Sequence, residues 1–208
     1  MTFYWVAQRL VRVLWPMIGP LDVQGMAHIP DQGPFLLVAN HQSYLDPILI
    51  QAVVDRPMYT MAKSTEFSNP VLGALLKRLK SFPVRRFEID PQAVRTVLRH
   101  LDAGRGVGIY VEGERSWDGR LQSPRRGTLR LILKAGVPVV PCGIAGAYDV
   151  WPRWHRRIRR GTVRIRFGAP LRFPQLDDRR ARDAALPEAE DRLMTAIASL
   201  SGAERTDR

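Results

Sequence analysis

The sequence predicts an α/β fold: a single domain with a largely parallel central sheet flanked by helices, preceded by an N-terminal amphipathic helix. Three observations predict it. Short apolar runs alternate with longer helix-compatible stretches. Asp46-Pro47, Asn69-Pro70 and Asp90-Pro91 each read as a cap followed by a first helical proline. A chain of 208 residues with 45% hydrophobic content is long enough for one sizeable core. Strands are expected at 35–39, 58–62, 82–84, 107–111, 138–142 and 162–167. Helices are expected at 47–54, 70–80, 91–103, 127–135 and 187–200, with Gly104 and Gly136 as C-terminal stops. No internal repeat or second domain is visible, so the domain is read as residues 21–202, with 203–208 a frayed tail.

Residues 1–20 read as a separate amphipathic, membrane-associating helix. Phe3, Val6, Leu10, Val13, Leu14 and Met17 fall on one helical face, and Gln8, Arg9 and Arg12 on a narrow opposite strip. At 1.5 Å per residue the stretch from Phe3 to Ile18 reaches about 24 Å, against roughly 30 Å of hydrocarbon, and Pro16 interrupts its last turn. It is therefore too short and too charged to span a bilayer. Tyr4, Trp5 and Trp15 suit a headgroup-level position; the alternative is packing on the domain's own sheet. No small-residue cleavage site follows, and Leu21-Asp22-Val23 starts the domain, which argues against a cleaved signal peptide.

The formal net charge is +12, so the expected partner is anionic, either an acidic membrane surface or a nucleic acid. Arg153, Arg156, Arg157, Arg159 and Arg160 form a run that either grips phosphates or is a solvated loop. No nucleic-acid module is recognisable, and the aromatic residues gather in the N-terminal helix rather than interleaving with the basic run, which favours the membrane and predicts no nucleic-acid partner. Cys142 stands alone, which excludes an internal disulfide, and beside Val140 and Pro141 it reads as a core thiol. His28, His100 and His155 lack ligand spacing, so no metal site is expected.

The chemistry gathers where apolar runs stop. Phe35–Ala39 ends at Asn40-His41-Gln42-Ser43-Tyr44-Leu45-Asp46, which delivers His41 to the open end of a buried strand. Asp46 can fold back to fix the imidazole tautomer. It can equally cap the helix that Pro47 begins. A second run, Val107–Val111, ends at Glu112-Gly113-Glu114-Arg115-Ser116. Ser43 and Ser116 sit in polar turns where hydroxyls bond backbone, which argues against a serine nucleophile.

With Ser81–Arg86 between these blocks and Val137–Pro141 after a predicted helix, the order resembles the 1-acyl-sn-glycerol-3-phosphate acyltransferase family of glycerolipid acyltransferases, from about Val23 to Phe167. The family's Asn-His-x-x-x-x-Asp block falls on Asn40, His41 and Asp46. Its Phe-Pro-Glu-Gly-Thr-Arg-Ser block falls on Tyr110 to Ser116 and keeps Glu112, Gly113, Arg115 and Ser116; its second-block arginine falls on Arg86. Val111 stands in place of the family's proline and Glu114 in place of its threonine.

The resemblance implies transfer of a fatty acyl group from acyl-CoA or acyl carrier protein to the sn-2 hydroxyl of lysophosphatidic acid, giving phosphatidic acid. No cofactor and no acyl-enzyme are expected. His41 would be the base and Asp46 its orienter, supported by Asn40 and Ser43. Arg86, Glu112, Gly113, Arg115 and Ser116 would form the acceptor-phosphate pocket, Glu112 through an ion pair with Arg115. The Glu114 carboxylate beside that pocket keeps another lysolipid open as acceptor. The expected location is the cytoplasmic face of the membrane, peripheral or monotopic. The rival is a non-catalytic basic protein that binds anionic lipid or nucleic acid.

Overall fold

The chain runs α1 (Thr2–Leu14), β1 (Leu21–Gln24), β2 (Phe35–Ala39), α2 (Leu45–Val53), β3 (Met58–Lys63), α3 (Pro70–Arg78) and β4 (Ser81–Val84). It continues through α4 (Pro91–Asp102), β5 (Gly106–Tyr110), α5 (Arg126–Ala135), β6 (Val139–Ala145), α6 (Ala147–Val150), β7 (Val163–Phe167) and α7 (Arg179–Ser201). The computed structural model describes residues 2–205 except 87 and 89.

All strands join one seven-stranded sheet in the order β1-β7-β6-β2-β5-β3-β4. The run β6-β2-β5-β3-β4 is parallel throughout, whereas β7 is antiparallel to β6 and carries β1 parallel to itself at the edge. A strand buried on both faces is apolar at every position rather than alternating, and Phe35 to Ala39 are each at most 1% exposed. Leu36 and Val38 enter a core shared with α4, α5 and α7. Phe35, Leu37 and Ala39 enter the opposite core, shared with α2 and Trp15. The fold class is the one the alternating pattern predicts.

Besides β1 and α6, which are additions to the expected elements, three segments differ from expectation. The first is α2, which begins at Leu45 with Tyr44 as its N-cap, so Asp46 lies inside the first turn and does not cap it. Asn69 and Asp90 do cap, each accepting two backbone N–H groups of the next turn. The second is α7, which starts at Arg179 rather than 187 and carries Pro187 in its interior. The Asp178 carboxylate accepts from Ala181 N at 2.8 Å, and Arg130 holds Asp183 at 2.6 Å. The cap and this tie to α5 outweigh the helix bond that Pro187 cannot make. The third is the tail: Leu121 N donates to Glu204 O at 3.1 Å, so 203–205 are tied to the domain, and 206–208 lie outside the described residues.

α1 docks by its polar side. Gln8 is buried and donates to the carbonyls of Gln51 and Val54, and Arg12 donates to the carbonyls of Ala52 and Val53 and pairs with Asp55. These are C-terminal carbonyls of α2 and its exit, which lack intrahelical donors. Tyr4 and Trp15 are 4% exposed, so neither can stand at headgroup level as their amphipathic rings suggest. Apart from Phe3, over whose ring Arg78 lies, the apolar strip is largely uncovered: Val6, Val13 and Met17 are 59%, 67% and 69% exposed.

Candidate active site

β2 pairs in parallel with β5 on one side and β6 on the other, with Ala39 opposite both Tyr110 and Cys142. The chain leaves β2 toward β3 on one flank and reaches β6 on the other, so the carboxyl end of β2 lies at a reversal of strand order, where open α/β sheets form a crevice. Counting two residues past Ala39 and two past Tyr110 brings His41 beside Glu112. His41 N donates to Glu112 Oε1 at 2.8 Å, and Ser116 N donates back to His41 O at 2.7 Å. On the other flank Asn40 copies a strand: its Nδ2 donates to Ile144 O and its Oδ1 accepts from Ile144 N, at 2.9 and 2.7 Å.

The histidine and aspartate meet. His41 Nδ1 lies 2.7 Å from Asp46 Oδ2, and the same oxygen accepts from Gln42 N and Ser43 N at 2.6 and 2.7 Å. This is the fold-back reading of Asp46. Its helix-start role passes to Ser43, whose Oγ accepts from Leu45 N and donates to Trp151 O. With Asp46 as acceptor, Nδ1 carries the ring proton and Nε2 carries the lone pair. Tyr110 stacks under the imidazole, ring centres 3.9 Å apart and 18° from parallel. Burial lowers the His41 pKa, Asp46 opposes this, and the cations of Arg86 and Arg115 push the same way as burial. The ring is therefore a neutral base at neutral pH.

Glu112 and Ser116 are placed differently from their expected roles. Glu112 is 2% exposed and makes no ion pair with Arg115; its two oxygens accept from His41 N and, at 3.4 Å, from Gln122 N. Desolvation by burial pushes its carboxyl up to about 8, against the lowering effect of those two N–H groups. Ser116 is fully buried, donates to Arg120 O and accepts from Gly119 N. Gly113 has φ 74, and a Cβ there would sit 2.8 Å from Arg125 Cγ. These three residues build the loop rather than line it.

Two arginines do face the site. Arg115 lies over the Tyr44 ring, 3.3 Å from its centre, with Nη1 buried and without a hydrogen bond. Arg86 is half-buried and forms no hydrogen bond or ion pair among the described residues. Its pKa is lowered first by desolvation and next by Arg115. Neither guanidinium finds a hydrogen-bond acceptor among the described residues, which leaves both available to an anion.

Glu114 is committed to two other arginines, although its charge still acts on Arg86. It is held by Arg125 Nη2 at 3.1 Å and Arg153 Nη1 at 3.4 Å. Arg153 also donates to Arg115 O at 2.9 Å and lies 3.6 Å from the Trp117 ring centre. Spacing does not mark Tyr44 as a site residue, Tyr110 enters the sequence reading as the first residue of its block, and Arg153 as the first of a basic run left open between a phosphate grip and a solvated loop. Tyr44, the aromatic third after His41, and Arg153, between Trp151 and Trp154, carry local signals, and neither reveals its partner. Cys142 is fully buried with its thiol pushed well up, as a core residue should be.

Fold and site together define an α/β protein with a His–Asp pair set beside two arginines at the carboxyl end of its sheet. A model of the acyltransferase family matches residues 20–145, more than half of the sequence, and the chain belongs to that family. It is 29% identical over 154 residues to a chloroplastic 1-acyl-sn-glycerol-3-phosphate acyltransferase of Brassica napus, covering 72% of this chain and 44% of that protein. It is 27% identical over 184 residues to the 1-acyl-sn-glycerol-3-phosphate acyltransferase of Bacillus subtilis (strain 168), covering 86% of this chain and 88% of that one. The chain thus spans under half the length of the plant relative. The crystal structure of the 1-acyl-sn-glycerophosphate (LPA) acyltransferase from Thermotoga maritima shares the fold, with a TM-score of 0.77 over 95% of this chain and 79% of that chain at 24% identity.

Proposed function

We propose that the protein transfers a fatty acyl group from an acyl thioester to the sn-2 hydroxyl of lysophosphatidic acid, giving phosphatidic acid. The observation that carries this reading is the His41–Asp46 contact at 2.7 Å beside the Arg86 and Arg115 guanidiniums. His41 Nε2 takes the hydroxyl proton as the oxygen attacks the thioester carbon. The tetrahedral adduct collapses, the C–S bond breaks, and the imidazolium returns its proton to the thiolate. No acyl-enzyme forms. A placed general base contributes about 10²- to 10⁴-fold, and orientation of the acceptor contributes further. Arg86 and Arg115 hold the acceptor phosphate, each charge-assisted bond contributing about 1.5–3 kcal/mol. The pairing of Glu114 with Arg125 and Arg153 supports a phosphomonoester over a lysolipid of lower charge. The donor is acyl-CoA or acyl carrier protein; both are acidic and suit the +12 chain.

The acceptor is reached at a membrane surface. No helix among the described residues is long and apolar enough to cross a membrane. The exposed apolar strip of α1 supports peripheral attachment instead, because its polar side is committed to α2. Basic residues near an anionic surface add about 1 kcal/mol each.

The test is acyl transfer by the purified chain from labelled oleoyl-CoA, and in parallel from oleoyl acyl carrier protein, to a lysolipid panel in anionic vesicles. Product from lysophosphatidic acid ahead of lysophosphatidylcholine and lysophosphatidylethanolamine supports the reading. Product only from another lysolipid keeps the chemistry and replaces the headgroup. Vesicle binding without product from any acceptor supports the non-catalytic rival.

A further inference from the structure

Glu114 introduces a carboxylate into the loop that carries Arg115, and its charge acts on Arg86 as well. Left alone, it would repel a phosphomonoester at that pocket and offer both arginines a competing partner. The fold answers it twice: Arg125 holds one oxygen at 3.1 Å, and Arg153, which lies outside the region matched by the family model, holds the other. Arg153 Nη1 reaches Glu114 Oε2 at 3.4 Å and Arg115 O at 2.9 Å, so one guanidinium binds both the carboxylate and the peptide next to it. The guanidinium is itself fixed, 3.6 Å from the ring centre of Trp117 and 5.1 Å from that of Trp154. Those rings are 4.7 Å apart, and the Trp117 carbonyl accepts from Trp154 Nε1 and the Tyr148 hydroxyl at 3.2 and 2.9 Å. The Arg153 side chain is 18% exposed, so the pair is sheltered from screening.

We propose that Arg153 is a positioning residue that sets acceptor specificity: by holding Glu114 aside and bracing the Arg115 peptide, it leaves the Arg86–Arg115 pair open to a phosphomonoester. The inference rests on the reading that those two arginines hold the acceptor phosphate. It makes Glu114 and Arg153 a compensating pair. Loss of Arg153 harms phosphate binding chiefly because Glu114 is then held by Arg125 alone, with its second oxygen released toward the pocket, and removing Glu114 as well repairs it.

The experiment compares wild type, Arg153→Ala, Glu114→Thr and the double variant. It uses KM and kcat for lysophosphatidic acid, the rate on phosphate-free monoacylglycerol, and calorimetric titration with sn-glycerol 3-phosphate as a turnover-independent probe. Arg153→Ala is expected to raise KM and the probe's Kd about tenfold, with kcat and the monoacylglycerol rate within twofold. Glu114→Thr alone is expected to leave both constants equal or lower, and the double variant to return within threefold of wild type. Arg153→Lys, which keeps the charge but not the fork, should fall between. Unchanged constants in Arg153→Ala, or a defect that Glu114→Thr does not repair while both variants melt like wild type, would overturn the inference. Wild type that binds no glycerol 3-phosphate overturns the phosphate reading and this inference together, whereas intact wild-type binding with indifferent variants overturns the inference alone.

Discussion

Asp46 and His41 are joined through one oxygen: Asp46 Oδ2 lies 2.7 Å from His41 Nδ1 while also accepting from the backbone N–H groups of residues 42 and 43. Those two backbone bonds fix the carboxylate before it meets the imidazole, so the ring inherits its orientation from the loop. Asp46→Asn keeps the shape but loses the charge and sets an amide against three donors. Its kcat is expected to fall about 10²- to 10⁴-fold, with KM for the lysolipid little changed. Equal kcat in steady-state assays would remove Asp46 from the mechanism.

The pH profile follows from the same contact. Burial holds the His41 pKa below its usual value of 6.5, and a base must be neutral to work. Activity should therefore be complete above that value and fall only at lower pH, with the acid midpoint of kcat/KM below 6.5. Asp46 raises the His41 pKa by hydrogen bond and by charge, so Asp46→Asn should move the midpoint lower still. An upward move would contradict the assignment.

Glu112 makes a prediction about stability rather than rate. Its carboxyl titrates near 8 in the fold against an ordinary 4.5, so between those values the unfolded chain binds fewer protons than the folded one. Stability must then fall as pH rises from about 4.5 to 8 and level off above, by an amount on the order of 5 kcal/mol. Glu112→Gln abolishes that slope, while its amide opposes one of two backbone donors. Urea titrations from pH 5 to 9 check this; identical slopes in the two proteins would refute it.

Arg115, whose Nη1 is buried without a hydrogen bond, predicts a binding defect. Arg115→Glu should raise the lysophosphatidic acid KM by 10- to 100-fold, equivalent to about 1.5–3 kcal/mol. The rate on monoacylglycerol should change far less. Kinetics on the two acceptors measure the contrast, and an unchanged lysophosphatidic acid KM would exclude Arg115 from the phosphate pocket.

α1 predicts opposite outcomes for its two faces. Val6→Asp with Val13→Asp alters side chains that are 59% and 67% exposed, so stability should stay within about 0.5 kcal/mol while sedimentation with anionic vesicles is lost. Gln8→Ala should cost about 1–3 kcal/mol by leaving α2 carbonyls unpaired, with vesicle binding retained in the folded fraction. Thermal melts and sedimentation together distinguish the faces.

The two strands that carry the site were legible because their chemistry is local. An apolar run that stops at Asn40-His41, and another that stops at Glu112, announce buried parallel strands and their functional ends. The His41–Asp46 contact was legible as one of two readings, since five residues suffice either to fold back or to cap. Glu112 was not, because its partner is a peptide N–H just past the end of β2, 71 residues away, and register rather than side-chain type creates that bond. The inversion of α1 was equally hidden: periodicity shows that two faces exist, while the vacant carbonyls at the end of α2 decide which one docks. Pro187 marked a helix start by rule, but the Asp178 cap and the Asp183 tie to α5 carry the helix through it.

Direct transfer with His41 as base is tested most simply by acylation of lysophosphatidic acid from labelled oleoyl-CoA, comparing wild type with His41→Ala of equal melting temperature, alongside intact mass of the wild-type chain during turnover. The expected result is labelled phosphatidic acid from wild type, a loss of about 10²-fold or more in the variant with KM within twofold, and no mass gain on the protein. Equal rates in the two proteins, or a covalent oleoyl adduct that forms and decays with turnover, would contradict it.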